Sequence, residues 1–178
     1  MKRHEPQIEF RQVVEQDFAL LGQWMEQDHW QEWWGDPETE LGYIRDMVKG
    51  RDSTRPYIFL IDGKNTGYIQ YWLINDHQNV EWIAKYPWLA KLPPDSAGID
   101  LSIGEEKNLS KGLGVAVLRA FTGMLAAKGY NTMIIDPDMD NLRAIRAYEK
   151  AGFNFVPCLE AAASKVHIMQ LELNENII

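Results

Sequence analysis

The chain has 178 residues, 46% of them apolar and 25% charged, with a formal net charge of −8 and a pI near 5.0. This suits one soluble domain spanning residues 1–178, argues against nucleic acid as a partner because phosphate neutralisation needs clustered Lys and Arg, and leaves room for a cationic small molecule. A single cysteine, Cys158, excludes an intrachain disulfide and a cysteine-based zinc site. The opening MKRHEPQIEF has no apolar run of the signal-peptide kind, and no stretch nears the ~20 apolar residues of a membrane helix, so a cytoplasmic protein with neither metal nor membrane is expected.

In chain order, Ile8 to Val13 alternates as a strand, and Asp17 to Gln27 reads as an amphipathic helix through Phe18, Leu21 and Trp24. Asp28 to Glu38, DHWQEWWGDPE, reads as a loop, after which Pro37 opens a helix over Glu38 to Lys49. A hairpin follows: strand Tyr57 to Ile61, a turn at Asp62 to Asn65, strand Thr66 to Leu73. The long Trp- and Pro-containing connection Asn75 to Ser96 carries no assignable element, and loops of that length are often functional. Then come a strand, Ala97 to Gly104, a helix from about Gly112 to Lys128, a strand, Thr132 to Asp136, and a helix, Asn141 to Ala151, closed by Gly152. Phe153 to Cys158 and Lys165 to Leu173 read as two last strands. The order is that of a mixed α/β sheet covered by helices.

Two stretches carry chemistry. In NLSKGLGVAVLRAF, Gly112 and Gly114 precede an apolar run at helical spacing. Unpaired N–H groups and the positive dipole end of a helix start make an anion site, which bare backbone lets a phosphate approach. Neither standard nucleotide loop fits: Lys111 precedes the last glycine rather than following it, and Val117 stands where a dinucleotide fingerprint needs a third Gly or Ala. A plain turn is the alternative at this point. In IIDPDMDNLRAIRAYEKAGF, a strand ends at Asp136 and a polar loop leads to Asn141. Asn141 and Tyr148 are two helical turns apart, so they share a face, with the small Ala144 between them. A helix cap at Asn141 and an ordinary core-edge Tyr148 would explain the same pattern.

Together these stretches resemble the GCN5-related N-acetyltransferases (GNAT). HWQEWWG, PYI, GYIQYW, GIDLSIG and DPDMDNLRAIRAYEKAGF, in that order, resemble the aminoglycoside 6′-N-acetyltransferases within that superfamily. The resemblance implies a mixed, mostly antiparallel central sheet flanked by helices, with acetyl-CoA as co-substrate. It implies that the turn Ser110, Lys111, Gly112, Leu113, Gly114, Val115 cradles the pyrophosphate, that Asn141 binds the pantetheine arm, and that Tyr148 protonates the leaving thiolate. Leu109 stands where the family usually has Gln or Arg, so the phosphate grip falls to backbone amides and Lys111.

Acetyl transfer needs a polarised thioester carbonyl, for which backbone N–H groups of Leu101 to Ile103 are the candidates. Asp100, in an otherwise apolar strand, is assigned to the reactive amine. A carboxylate near pKa 4 is a poor base for an ammonium near 9, so positioning outweighs proton abstraction there. Asp136, at a strand's carboxyl end, is assigned to the ammonium groups of a polycationic amine, and Trp34 to the face of a sugar. Glu81 and Trp82 could form an opposite wall. Asp138 and Asp140 read as solvated loop charges; His4, His29, His77 and His167 form no ligand pattern and read as structural or surface groups. Two rival functions stand beside the aminoglycoside one: a hydroxamate-siderophore acyltransferase, and a catalytically idle acyl-CoA-binding module. The composition does not speak to the oligomeric state.

Overall fold

A computed structural model describes residues 6–157 and 166–173. His4, Cys158 and Lys165 lie outside them, and with Cys158 and Lys165 the facing ends of the two last predicted strands. The chain forms two compact units: one takes the residues up to Gln70 together with Leu101–Leu113, the other Tyr71–Asp100 and the residues from Gly114 onward.

The first unit opens with β1 (Ile8–Gln12), antiparallel to β2 (Arg55–Ile61) with Phe10 opposite Phe59. β2 turns into β3 (Lys64–Leu73) through Asp62 and Gly63, both at positive φ (50° and 74°), the backbone that matches the twist of a tight hairpin. Between β1 and β2 lie α1 (Phe18–Met25), α2 (Asp28–Trp33) and α3 (Pro37–Val48). Their apolar faces, Leu21, Trp24, Met25, Trp30, Leu41 and Ile44, form one core with Ile58 and Tyr68. α3 starts at Pro37 as expected, and the Asp36 carboxylate caps it by accepting from Thr39 N at 2.9 Å.

α2 corrects the sequence reading, which had a loop over Asp28 to Glu38. Trp30, Trp33 and Trp34 recur at helical spacing, and Gly35 (φ 107°) stops the turn. The polar flanks and the nearby Pro37 mask a helix of only six residues.

In the second unit β4 (Ala97–Ile103) contributes its first half, parallel to β5 (Thr132–Ile135) with Ala97 opposite Met133 and Gly98 opposite Ile134. β7 (Met169–Glu172) pairs antiparallel with β5 on one side and with β6 (Asn154–Phe155) on the other. The described strands run in the order β1-β2-β3-β4-β5-β7-β6, the mixed and mostly antiparallel sheet that the sequence implied. Gly98 has no room for a side chain, because a Cβ there would sit 2.1 Å from the Trp72 indole.

The unassigned connection holds α4 (Val80–Lys85), capped by Asn79, between two 3-10 turns at Ile74–His77 and Pro87–Lys91. α5 (Leu113–Ala127) buries Val117, Leu118, Phe121 and Leu125. α6 (Leu142–Ala151) ends at Gly152, left-handed at φ 109° as a C-cap requires.

Candidate active site

The centre of the second unit is acidic. The β4–β5 register pairs Gly98 with Ile134; two residues beyond each lie Asp100, on the face that bears Gly98 and the Trp72 ring, and Asp136, near enough for the charge of Asp100 to act on it. Tyr148, on the second turn of α6, completes the group, since the charges of both carboxylates act on its phenol. All three side chains are half-buried, reachable by water yet surrounded by protein. Burial and then the Asp100 charge push the Asp136 carboxyl up to about 8 from its ordinary 3.8. Asp136 therefore keeps its proton far more readily than an ordinary carboxyl. Burial, with both aspartates, pushes the Tyr148 phenol up as well, so it stays protonated and available as a donor. An ammonium brought to this site would relieve the repulsion and favour the charged form of both carboxylates.

The glycine turn has the backbone of an anion site. Ser110 (φ 60°) and Gly112 (φ 78°) are left-handed while Lys111 between them is not, the alternation of hand on which backbone anion-binding turns are built. The first amides of the fifteen-residue α5 follow directly. Gly114 lies inside that helix with ordinary backbone, and a Cβ there would meet no atom within 4 Å. Neither fold geometry nor packing demands glycine at this position; a ligand lying against the backbone would. Ser110, Lys111 and Gly112 are exposed, and Leu113, Gly114 and Val115 half-buried.

Asn141 caps α6, its Oδ1 accepting from Ala144 N at 3.1 Å, which leaves its amide N–H groups for another acceptor. The cap and the arm-binding assignment are thus compatible.

In the first unit, Gly104 N–H donates to Thr66 O of β3 at 2.8 Å. Backbone groups of successive strand residues point to opposite edges, so those of Ile103, and of Leu101 before it, point away from β3. Trp34 is half-buried with its ring 5.1 Å from Trp30 and 5.8 Å from Tyr68, so part of its surface belongs to the core. Glu81 and Trp82 lie exposed on α4, where Trp82 packs on Tyr86 and edge-on to His77. Asp138 accepts from Asp140 N as an ordinary loop turn. Among the described residues no group of His, Cys, Asp and Glu could hold a metal, and no helix is long and apolar enough to cross a membrane.

Residues 13–160 match the family model of the acetyltransferase (GNAT) domain. The chain belongs to the GNAT acetyltransferases. This acetyltransferase is 34% identical over 153 residues to the aminoglycoside N(6′)-acetyltransferase type 1 of Klebsiella pneumoniae, an alignment covering 82% of this chain and 73% of that one. Its fold superposes with a TM-score of 0.79 on aminoglycoside acetyltransferase AAC(6′)-Ib in complex with coenzyme A, at 29% identity and covering 93% and 95% of the two chains. A second structure of that enzyme, in complex with paromomycin and acetyl-CoA, matches at 0.78 and 29%, covering 93% of each.

His29 escaped the sequence reading as anything but structural or surface. It is buried, 7% exposed, and lies 2.8 Å from Ile103 O through Nε2. No spacing signal points from α2 to a strand more than seventy residues on; only the folded chain joins them.

Proposed function

We propose that this acetyltransferase is a cytoplasmic enzyme, a single domain over residues 1–178, that moves the acetyl group of acetyl-CoA to the 6′ amine of an aminoglycoside and so confers resistance. The paired carboxylates Asp100 and Asp136 beside Tyr148 carry this reading, because they suit a cationic amine and are costly otherwise. Neutralising one ammonium and adding bulk weakens the drug's hold on anionic RNA.

Bound acetyl-CoA supplies an activated acetyl group as a thioester. The amides of Ser110 to Val115 and the start of α5 hold its pyrophosphate, assisted by Lys111. Asn141 donates to the pantetheine arm, and the N–H groups of Leu101 and Ile103 polarise the thioester carbonyl. Asp100 and Asp136 fix the substrate ammonium, the proton on Asp136 leaving to solvent as the cation binds, and the pair then takes up one proton from the ammonium. The freed amine nitrogen bonds to the carbonyl carbon, the C–S bond breaks, Tyr148 passes its proton to the departing sulfur, and its phenolate takes back the proton that the acylated nitrogen sheds. Trp34 offers an indole to the sugar.

A siderophore acyltransferase would act on a hydroxylamine, neutral at physiological pH, with little need for two carboxylates; an idle binding module would need neither them nor Tyr148. Thiol-release kinetics with acetyl-CoA against kanamycin-like amines, hydroxylysine and peptide N-termini, with the acetylated position read by NMR, test the proposal. Fast turnover of the aminoglycosides at the 6′ amine is expected. Turnover confined to hydroxylysine or peptides refutes the substrate, and no turnover with coenzyme uptake intact restores the idle module.

A further inference from the structure

The carbonyl of Ile103 faces away from β3 yet is fully engaged by side chains of α2. His29 Nε2 lies 2.8 Å from it and Trp30 Nε1 donates to it at 3.0 Å, with Ser102 Oγ at a longer 3.3 Å. A carbonyl only accepts, so His29 must carry its proton on Nε2. Its Nδ1 is buried without a partner among the described residues. The next residue is gripped as well. A Cβ at Gly104 would sit 2.4 Å from the Trp24 ring, so that indole lies directly on the glycine backbone. Trp24, His29 and Trp30 are all buried, at 3%, 7% and 1% exposure. Three ring side chains, from consecutive helices, thus immobilise one peptide unit, Ile103–Gly104.

An edge carbonyl needs no such treatment for stability, since water satisfies it without burying a histidine nitrogen unpaired. What the arrangement achieves is direction. N–H and C=O of one strand residue share an edge, so clamping the Ile103 carbonyl fixes where the Ile103 N–H points. It also removes a competing acceptor from beside it. We propose that His29 and Trp30 are positioning residues that hold the Ile103 amide in the orientation that polarises the thioester carbonyl. The inference rests on the acetyl-transfer reading above and adds to it two residues that never touch substrate.

The test compares wild type with Trp30→Phe, which keeps an aromatic ring of smaller size and loses the donor, His29→Phe, the double variant, and His29→Gln, whose amide N–H replaces that of Nε2. Near-ultraviolet circular dichroism and thermal melting check that each is folded. In the double variant kcat should fall by about a hundredfold, the scale of an oxyanion donor, while KM for the amine stays within about twofold. His29→Gln should stay within about threefold of wild type. Infrared difference spectra of carbonyl-labelled acetyl-CoA bound without amine should show the thioester stretch lowered in wild type and in His29→Gln, and returned toward its position in water in the double variant.

Folded donorless variants with wild-type kcat and wild-type carbonyl frequency overturn the proposal, as does a His29→Gln variant that loses as much as His29→Phe. If wild type binds acetyl-CoA but acetylates no amine offered, the substrate reading fails. The infrared comparison then decides the clamp by itself: an unchanged stretch overturns it, a displaced one supports it. Absence of any acetyl-CoA uptake overturns both.

Discussion

Replacing Asp136 with Asn should make the protein more stable at neutral pH while impairing it as an enzyme. In the folded chain the Asp136 carboxyl titrates at about 8 because burial and Asp100 oppose its charge, against 3.8 ordinarily. Between those values the native state binds more protons than the unfolded state, so stability falls as pH rises. This contribution is fully present below about pH 4, where both states are protonated, and is lost as pH climbs through 8. The slope is at most about 1.4 kcal/mol per pH unit. Water reaching the half-buried group, and the sharing of the proton with Asp100, reduce that to roughly 1–2 kcal/mol between pH 5 and pH 7. Asn keeps the shape and removes the charge, so urea melts of Asp136→Asn should lose most of this slope. The variant should exceed wild type near pH 7 by on the order of 1 kcal/mol, while its KM for polyamine sugars rises. Wild-type and variant stabilities that run parallel from pH 5 to 8 would refute the coupled-carboxylate account.

Gly114→Ala places a methyl in open space at a helical position, so it should leave stability unchanged or raise it by up to about 1 kcal/mol, while calorimetry finds coenzyme A bound at least about tenfold more weakly; unaltered affinity would reduce the glycine to a neutral choice. Gly98→Ala forces a Cβ to 2.1 Å from Trp72 and should cost about 1–3 kcal/mol in urea unfolding, partly recovered when Trp72 is also trimmed to Leu. Tyr148→Phe should cut kcat by about a hundredfold or more with coenzyme affinity nearly unchanged; a wild-type kcat would remove Tyr148 as the proton donor. Asn141→Ala should lose both the cap, about 1 kcal/mol, and coenzyme affinity, whereas Asn141→Asp should keep the cap and lose only affinity, a split visible by comparing melts with binding isotherms.

Much of the architecture was written locally. Asp62-Gly63 between two apolar, strand-forming runs marks a hairpin, Asp36-Pro37 starts α3, and Gly152 ends α6. These depend on which φ angles each residue tolerates and on which groups can cap a helix, properties of a few adjacent residues. The same locality explains why Ser110 to Val115 and the Asn141–Tyr148 face could be singled out: a helix start and a seven-residue spacing are visible without tertiary contacts. It also explains the errors. α2 and α4, of six residues each, are too short for periodicity to overcome polar and proline flanks, and neighbours in the fold stabilise them instead.

Asp100 was legible as a carboxylate inside an apolar strand and Asp136 as one at a strand's end, but their behaviour as a pair was not. It arises from the parallel pairing of β4 with β5, which brings distant stretches of the chain together just before these two residues, and from burial that no composition reveals. From an ordinary carboxylate value the sequence favours positioning over proton abstraction at Asp100, whereas the folded site raises the carboxyl of its partner Asp136. His29 and Trp30 mark the far limit: they meet Ile103 only through the tertiary fold. Residue order alone determined the turns, the helix ends and the bare backbone before α5, because those depend on neighbours in the chain. Which side chains share a proton and which hold the edge of β4 depends on neighbours in space, and only the folded protein decided that.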